Sequence, residues 1–375
     1  MIDEIDDLFE EIDRGREGKN QGYSTGLPKL DGVIDGVCPK TYTLVFAGTG
    51  NGKSSFVLYS YVYRPLMEHL NDGKFKCTYF SLEMSKKTIY ARLLCLYIFD
   101  TYGIELSSKE IFSRKKNYRL CDEYYDLIQE CKPWLNTIRK SITIYDKTCT
   151  ANYLYNKMIA ELRTTGKLTI NGTGDEAEIF YAPNDPELVH NVVIDHIGLL
   201  KASADRLKNE IDATSRVLVM LRNACGISPI VIMQINRDST NIERRKQGLN
   251  NLNLNDIKDS GNPAQDCEVA ISIFNPYREQ LASYAGYKIK DTLEDSFRVI
   301  TIQKARDGAS NVELGVNFFG RMGYWHDLPK ANEINDYSKY CNPSYILKST
   351  AIEVEDKPEV KESDKEENTT FKFIM

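Results

Sequence analysis

The densest chemistry in the chain lies in VFAGTGNGKSSF, residues 45–56. Gly52, Lys53 and Ser54 stand where a phosphate-binding loop carries its Gly-Lys-Ser/Thr ending, and Ala47 takes the place of the usual opening glycine. In such a loop the backbone N–H groups of Gly48, Thr49, Gly50, Asn51 and Gly52 turn toward phosphate oxygens at the start of a helix. Lys53 then reaches the β and γ phosphates, the Ser54 hydroxyl ligates Mg²⁺, and Ser55 continues the first helical turn. Ala47 costs little if it closes the preceding strand, because the turn begins after it. ATP and Mg²⁺ are the expected cofactors.

Nucleotide hydrolysis needs more groups, and the chain offers them at the ends of apolar runs. Asp195 closes NVVID, as an acid that holds Mg²⁺ closes a buried strand. Glu83 follows TYFSL, where a carboxylate can polarise the attacking water. Gln234 closes PIVIMQ and is suited to touch the γ-phosphate and report its presence. Lys304 and Arg306, two apart in ITIQKARDG, fall on one face of a strand and suit phosphate recognition. Because Lys53 already serves this chain's own nucleotide, a neighbouring subunit's ATP is the better target for that pair, in the manner of an arginine finger.

Two polar loops could meet a polyanion. One follows Asp195 and carries Lys201, Arg206 and Lys208; the other, residues 236–261, carries Arg237, Arg244, Arg245, Lys246 and Lys258. Neither interleaves aromatics with its cations, so contact with a phosphate backbone fits better than base stacking.

The elements that must hold these groups read as strand–helix alternation. Strands are expected at 41–47, 77–82, 141–146, 191–197, 229–235, 269–275 and 297–304, with helices at 54–70, 85–99, 120–132, 152–164 and 206–225 between most of them. Several strands are unbroken apolar runs, as in parallel strands buried on both faces. The pattern predicts an α/β fold with a mostly parallel central sheet flanked by helices. Residues 166–188 read as an inserted loop or small hairpin.

Composition narrows the class. The chain has 375 residues, 42% of them hydrophobic, and a net charge of −6. No apolar run reaches the roughly 18 residues a membrane helix needs, and the acidic start MIDEIDDLFEEIDRG lacks the layout of a signal peptide. A cytoplasmic protein without a membrane partner is expected. The nine cysteines form no C-x-x-C pair, which argues for free thiols rather than a zinc site or a disulfide framework. Charge is uneven: residues 1–14 carry −6 and residues 353–367 carry −5, so the body between them is left at +5. A mildly basic body permits a polyanion partner. Near the N-terminus Ile2, Ile5, Leu8, Phe9 and Ile12 recur at helical spacing, giving an apolar stripe that must dock on its own body or on a neighbour. The charged end after residue 353 is expected to be disordered, its apolar last five residues a docking peptide or of no consequence.

The motifs occur in a telling order. STGLPKLD (24–31), AGTGNGKS (47–54), FSLEMS (80–85), VIDHIGLL (193–200), IMQINRD (232–238), LNDIKDSGNPAQDCEVAI (254–271) and QKARDG (303–308) together resemble the RecA-like motor domain of DnaB-type replicative helicases. The resemblance implies a P-loop NTPase core in which an alanine-led phosphate loop is ordinary. Glu83 would be the catalytic base, Asp195 the Walker-B acid and Gln234 the sensor. Lys304 and Arg306 would act in trans within a homohexamer. Single-stranded DNA would run through the central channel against Lys258, Asp259 and Gly261. By the same likeness residues 1–21 form a linker helix gripping the adjacent subunit, 22–335 the motor, and 336–375 a C-terminal extension.

The chain also departs from that family. The primase-interacting N-terminal domain is expected to be absent, Lys258 replaces a usual arginine, and His196 follows Asp195 where tyrosine is common. A phage or mobile-element helicase is the nearest type, with contacts to a primase, polymerase or helicase loader open. Two other readings share the core: a RecA/RadA-like recombination ATPase, and a nucleotide-gated assembly or loading factor with marginal hydrolysis.

Overall fold

The computed structural model describes residues 4–114, 116–172, 178–236, 252–257, 261–306 and 308–348. Its centre is a sheet that contains nine strands among the described residues. In chain order the strands are β1 (Thr43–Ala47), β2 (Phe75–Ser81), β3 (Ile142–Tyr145), β4 (Gly166–Asn171), β5 (Glu178–Pro183), β6 (Val189–Asp195), β7 (Ser228–Gln234), β8 (Val269–Phe274), β9 (Ser283–Tyr284), β10 (Tyr287–Lys288), β11 (Phe297–Ala305), β12 (Val312–Phe319) and β13 (Tyr324–Asp327). The large sheet runs β13-β12-β11-β8-β1-β7-β6-β2-β3. The six strands from β8 to β3 are parallel, and β11, β12 and β13 extend them antiparallel.

The sequence dictates this arrangement through burial. Every residue of β1, β6 and β8 is buried, so helices must cover both faces. Alternate residues feed opposite layers. Val45 and Ala47 of β1 join a core with the helix Lys86–Tyr102, while Leu44 and Phe46 join a second core with the helices Ala151–Thr165 and Leu207–Cys225.

The expected strands are all present, with ends shifted by one or two residues. The helix expected at 120–132 is instead two, Asp122–Glu130 and Lys132–Ser141. Residues 166–183 form a hairpin, β4–β5, whose inner residues Leu168, Ile170, Ile179 and Tyr181 pack with the core around Leu207–Cys225. β12 and β13 were not expected from the sequence. They pair along β11 and bring Trp325, fully buried, beneath the phosphate loop.

The first helix, Glu4–Arg16, leaves Ile5, Leu8, Phe9 and Ile12 47–61% exposed. Its apolar stripe is therefore not covered by the described body of the chain. The acidic tail lies outside the described residues.

Candidate nucleotide-binding site

Ala47 is the last residue of β1, level with Gln234 of β7 on one side and Ile273 of β8 on the other. The left-handed backbone falls later, at Gly50 (φ 78°) and Gly52 (φ 102°). Gly52 also has no room for a side chain, since a Cβ there would lie 2.9 Å from the Trp325 ring. The helix begins at Lys53, so the amides that follow the loop open directly onto the rim of the sheet.

The parallel strands bring three more groups to this rim. Ser81 at the end of β2 is level with Asp195 at the end of β6, and the Leu82 amide donates to the Asp195 carbonyl at 2.7 Å. Glu83 follows, exposed. Gln234 ends β7, its Nε2 3.2 Å from His196 Nε2. The peptide between Asp195 and His196 is cis. Carboxyl ends of parallel strands are where open α/β sheets bind ligands.

Asp195 is the electrostatic centre. Its carboxylate is fully buried and accepts from Ser54 Oγ at 2.8 Å on one oxygen and from Tyr79 OH at 2.8 Å on the other. Burial pushes its pKa up, against the opposing pull of Tyr79, Ser54 and Lys53. Lys53 is buried too and its pKa is pushed down by loss of water, while Asp195 and Glu83 work the other way. In this state Lys53 Nζ donates to the Gly48 carbonyl at 3.5 Å. The site thus holds a desolvated ammonium and a desolvated carboxylate, each short of charge compensation.

That shortfall is what a nucleotide with Mg²⁺ would relieve. A hydroxyl and a carboxylate 2.8 Å apart fit Mg²⁺, which takes one or two protein oxygens and completes its shell with water and phosphate. Accordingly, the described residues contain no cluster of three or more histidine, cysteine or acidic side chains that would cage a metal alone.

Lys304 and Arg306 lie elsewhere. β11 is antiparallel to β8, and Ala305 is level with Val269, the first residue of β8. Val269 in turn is level with Thr43, so the end of β11 sits at the opposite rim from Ala47, about 13 Å away along the strand. A register shift falls between Ile302 and Lys304. Lys304 Nζ donates to the carbonyls of Ala264 at 3.1 Å and Gln265 at 2.9 Å. Arg306, its side chain 60% exposed, is 3.3 Å from the Glu268 carboxylate, which Arg222 and the Tyr42 amide also engage. The two cations therefore do not reach this chain's own phosphate loop.

Among the expected DNA contacts, Arg237, Arg244, Arg245, Lys246, Lys258 and Asp259 lie outside the described residues. Gly261 caps the short helix Asn262–Asp266 at φ −86°, with open space where a Cβ would be. Nothing in the backbone requires glycine there.

Three residues beside the loop escaped the sequence reading. Tyr79 anchors Asp195, and its signal was a hydroxyl-bearing ring inside a buried apolar run. Arg298 is 1% exposed and donates from Nε to the Asn51 carbonyl at 3.1 Å. A single arginine inside FRVITI was the available sign. Arg278, in the loop after β8, gave none.

Comparison with known proteins agrees with this geometry. The family described as the DnaB-like helicase C terminal domain matches residues 22–325. The replicative DNA helicase DnaB of Helicobacter pylori is 24% identical over 284 residues, 75% of this chain and 49% of that protein. The chain thus spans about half the length of the curated relatives it matches. Among solved structures, an isolated ATPase domain superposes with a TM-score of 0.62 at 20% identity, covering 86% of this chain and 96% of that one. A DnaB-like replicative helicase studied for its interactions with primase gives 0.61 at 21% identity, covering 86% of this chain and 65% of that one. At this identity the superpositions speak for the fold, which is the RecA-like P-loop type.

Proposed function

Since the chain belongs to the family of DnaB-like helicase C-terminal domains, we propose that it is an ATP-driven replicative DNA helicase, a hexameric ring that tracks single-stranded DNA and unwinds duplex. The observation that carries this is the separation of Arg306 from Ala47 across the sheet. A finger at the far rim cannot complete its own site, and a ring, in which each subunit's far rim meets the next subunit's nucleotide, makes it complete.

Lys53 and the loop amides bind the phosphates, Ser54 and Asp195 hold Mg²⁺, and Glu83 takes the proton of the attacking water. Bound there, Mg²⁺ offsets charge on the phosphate oxygens. Gln234, coupled to His196, senses the γ-phosphate from the end of β7. Arg306 and Lys304 enter the neighbour's site. Releasing Arg306 leaves Glu268 still paired with Arg222, so the finger is free to exchange at small cost. The exposed stripe of helix Glu4–Arg16 supports a role in gripping the adjacent subunit. Residues 237–261 contact the DNA backbone, with Lys258 and Gly261 among them. A primase, polymerase or loader is the expected partner class, in a cytoplasm, for a phage-type machine; among the described residues no helix is long and apolar enough to cross a membrane.

The test is a forked-duplex unwinding assay of the native chain beside Glu83→Gln, with native mass determination in the presence of nucleotide. Hexamers that open the fork with ATP, and do not with Glu83→Gln, are expected. Filaments on DNA without unwinding would assign the chain to recombination instead.

A further inference from the structure

A phosphate loop works only if its carbonyls face away from the anion and its amides toward it. In a planar trans peptide the C=O of one residue and the N–H of the next point in opposite directions. Holding a carbonyl outward therefore holds the following amide inward. Glycine makes this hard, because residues free to adopt either sign of φ let peptide planes rotate easily. Here Gly50 and Gly52, both left-handed, leave two such planes, Thr49–Gly50 and Asn51–Gly52.

Two arginines from the far side of the loop meet those two carbonyls. Arg278 Nη1 lies 3.5 Å from the Thr49 carbonyl, and its guanidinium is pressed so close that a Cβ on Gly50 would sit 2.0 Å from it. Arg298 Nε donates to the Asn51 carbonyl at 3.1 Å. The remaining donors of Arg298 fix it in place, with Nη1 reaching the carbonyls of Asp295 at 2.6 Å and Phe297 at 2.8 Å. Asp295 Oδ1 is 3.5 Å from both Arg278 Nε and Arg298 Nη2, joining the pair. The Arg298 guanidinium also lies over the Phe318 ring, which stacks on the Trp325 that supports Gly52. Arg298 has almost no contact with water, so its charge is committed to these partners.

Building on the nucleotide-binding reading above, we infer that Arg278 and Arg298 are positioning residues of the phosphate loop, which pin the Thr49 and Asn51 carbonyls outward and so present the Gly50 and Gly52 amides to the nucleotide's phosphates. The antiparallel extension is then more than a sheet edge: β11 supplies Arg298 at its start and β12 and β13 supply the aromatic floor.

The test uses Arg278→Ala, Arg278→Lys, Arg298→Met and Arg298→Lys in the full chain. Fluorescent ADP binding and amide hydrogen exchange of residues 48–56 without nucleotide are measured, together with KM and kcat for ATP. For Arg278→Ala the inference expects about tenfold weaker ADP binding, a raised KM with kcat little changed, faster exchange in 48–56, and an unshifted melting temperature. Arg278→Lys and Arg298→Lys, which keep a donor, are expected to recover most of the binding. If Arg298→Met does not fold, Arg278, being on the surface, still decides the matter. Wild-type ADP affinity and exchange in Arg278→Ala would overturn the inference. Failure of the wild-type chain to bind ADP at all would instead overturn the functional reading beneath it.

Discussion

At the carboxyl-end rim of the parallel sheet, Lys53 and Asp195 are buried, their pKa values displaced in opposite directions by loss of water. At the amino-end rim, Arg306 stands largely in solvent and leans on a carboxylate that already has another partner. The first rim is tuned before any ligand arrives and the second is loosely tethered. Tight desolvation suits groups that must hold phosphate and Mg²⁺ in one geometry, since charges act more strongly where water is excluded. Loose tethering suits a cation that must leave its resting partner to act elsewhere. The contrast teaches that one chain carries two halves of a site, and that they meet only between chains.

The comparison can be broken most forcefully at its two ends. Lys53→Ala and Arg306→Ala should each lower ATP turnover by about a thousandfold. They should differ in binding: Lys53→Ala loses nucleotide affinity, whereas Arg306→Ala retains it within about threefold in equilibrium titration. Equal loss of affinity in both would place Arg306 in its own chain's site. Next in size is Tyr79→Phe, which removes one of the two donors to Asp195. Outer partners of metal ligands typically matter by about 10–100-fold, so a comparable rise in the Mg²⁺ concentration for half-maximal activity is expected. An unchanged Mg²⁺ dependence would show that Tyr79 only fills space.

Two smaller effects sharpen the buried half through stability. His190 and His326 are held neutral by burial, with pKa values lowered to about 3 and about 4. The unfolded chain binds these protons more readily, so their contribution is complete above the ordinary histidine range and is lost as pH falls from about 6.5 toward those values. Chemical denaturation should show stability falling by up to about 1.4 kcal/mol per pH unit for each histidine in that window. A flat profile between about pH 4 and 6 would contradict their burial as neutral rings. Asp195 has the opposite sign. Its raised pKa means that the folded state holds the proton longer, so its contribution is greatest in acid and declines as pH rises through the folded value. Asp195→Asn should therefore abolish turnover while leaving the nucleotide-free melting temperature at neutral pH equal or slightly higher. A drop of several degrees would mean that the carboxylate supports the fold rather than the ligand.

Much of this was legible in the residues. Strands that are buried on both faces are written as unbroken apolar runs, which is why β1, β6, β7 and β8 could be placed, and with them Asp195 and Gln234 at their ends. Ala47 was readable as a strand-closing residue for the same reason. What stayed hidden was what depends on register. That Lys304 and Arg306 share a rim follows from spacing, but which rim follows from β11 pairing antiparallel with β8, and no local pattern encodes that. β12 and β13 are half-buried with mixed side chains, so their period-two signal is weak. Arg278 and Arg298 act through backbone carbonyls of a loop more than two hundred positions away in sequence, a contact that residue type alone does not announce.

Whether the two halves belong to different subunits is measured most directly by mixing. Lys53→Ala and Arg306→Ala chains, each inactive alone, are combined at equal concentration and DNA-stimulated ATP turnover is followed. Some interfaces will then pair an intact phosphate loop with an intact finger, and turnover should return to about a quarter of the wild-type rate if the chains mix at random and sites act singly. Turnover that stays at the level of the separate mutants, in rings shown by native mass to be mixed, would contradict a site shared between subunits.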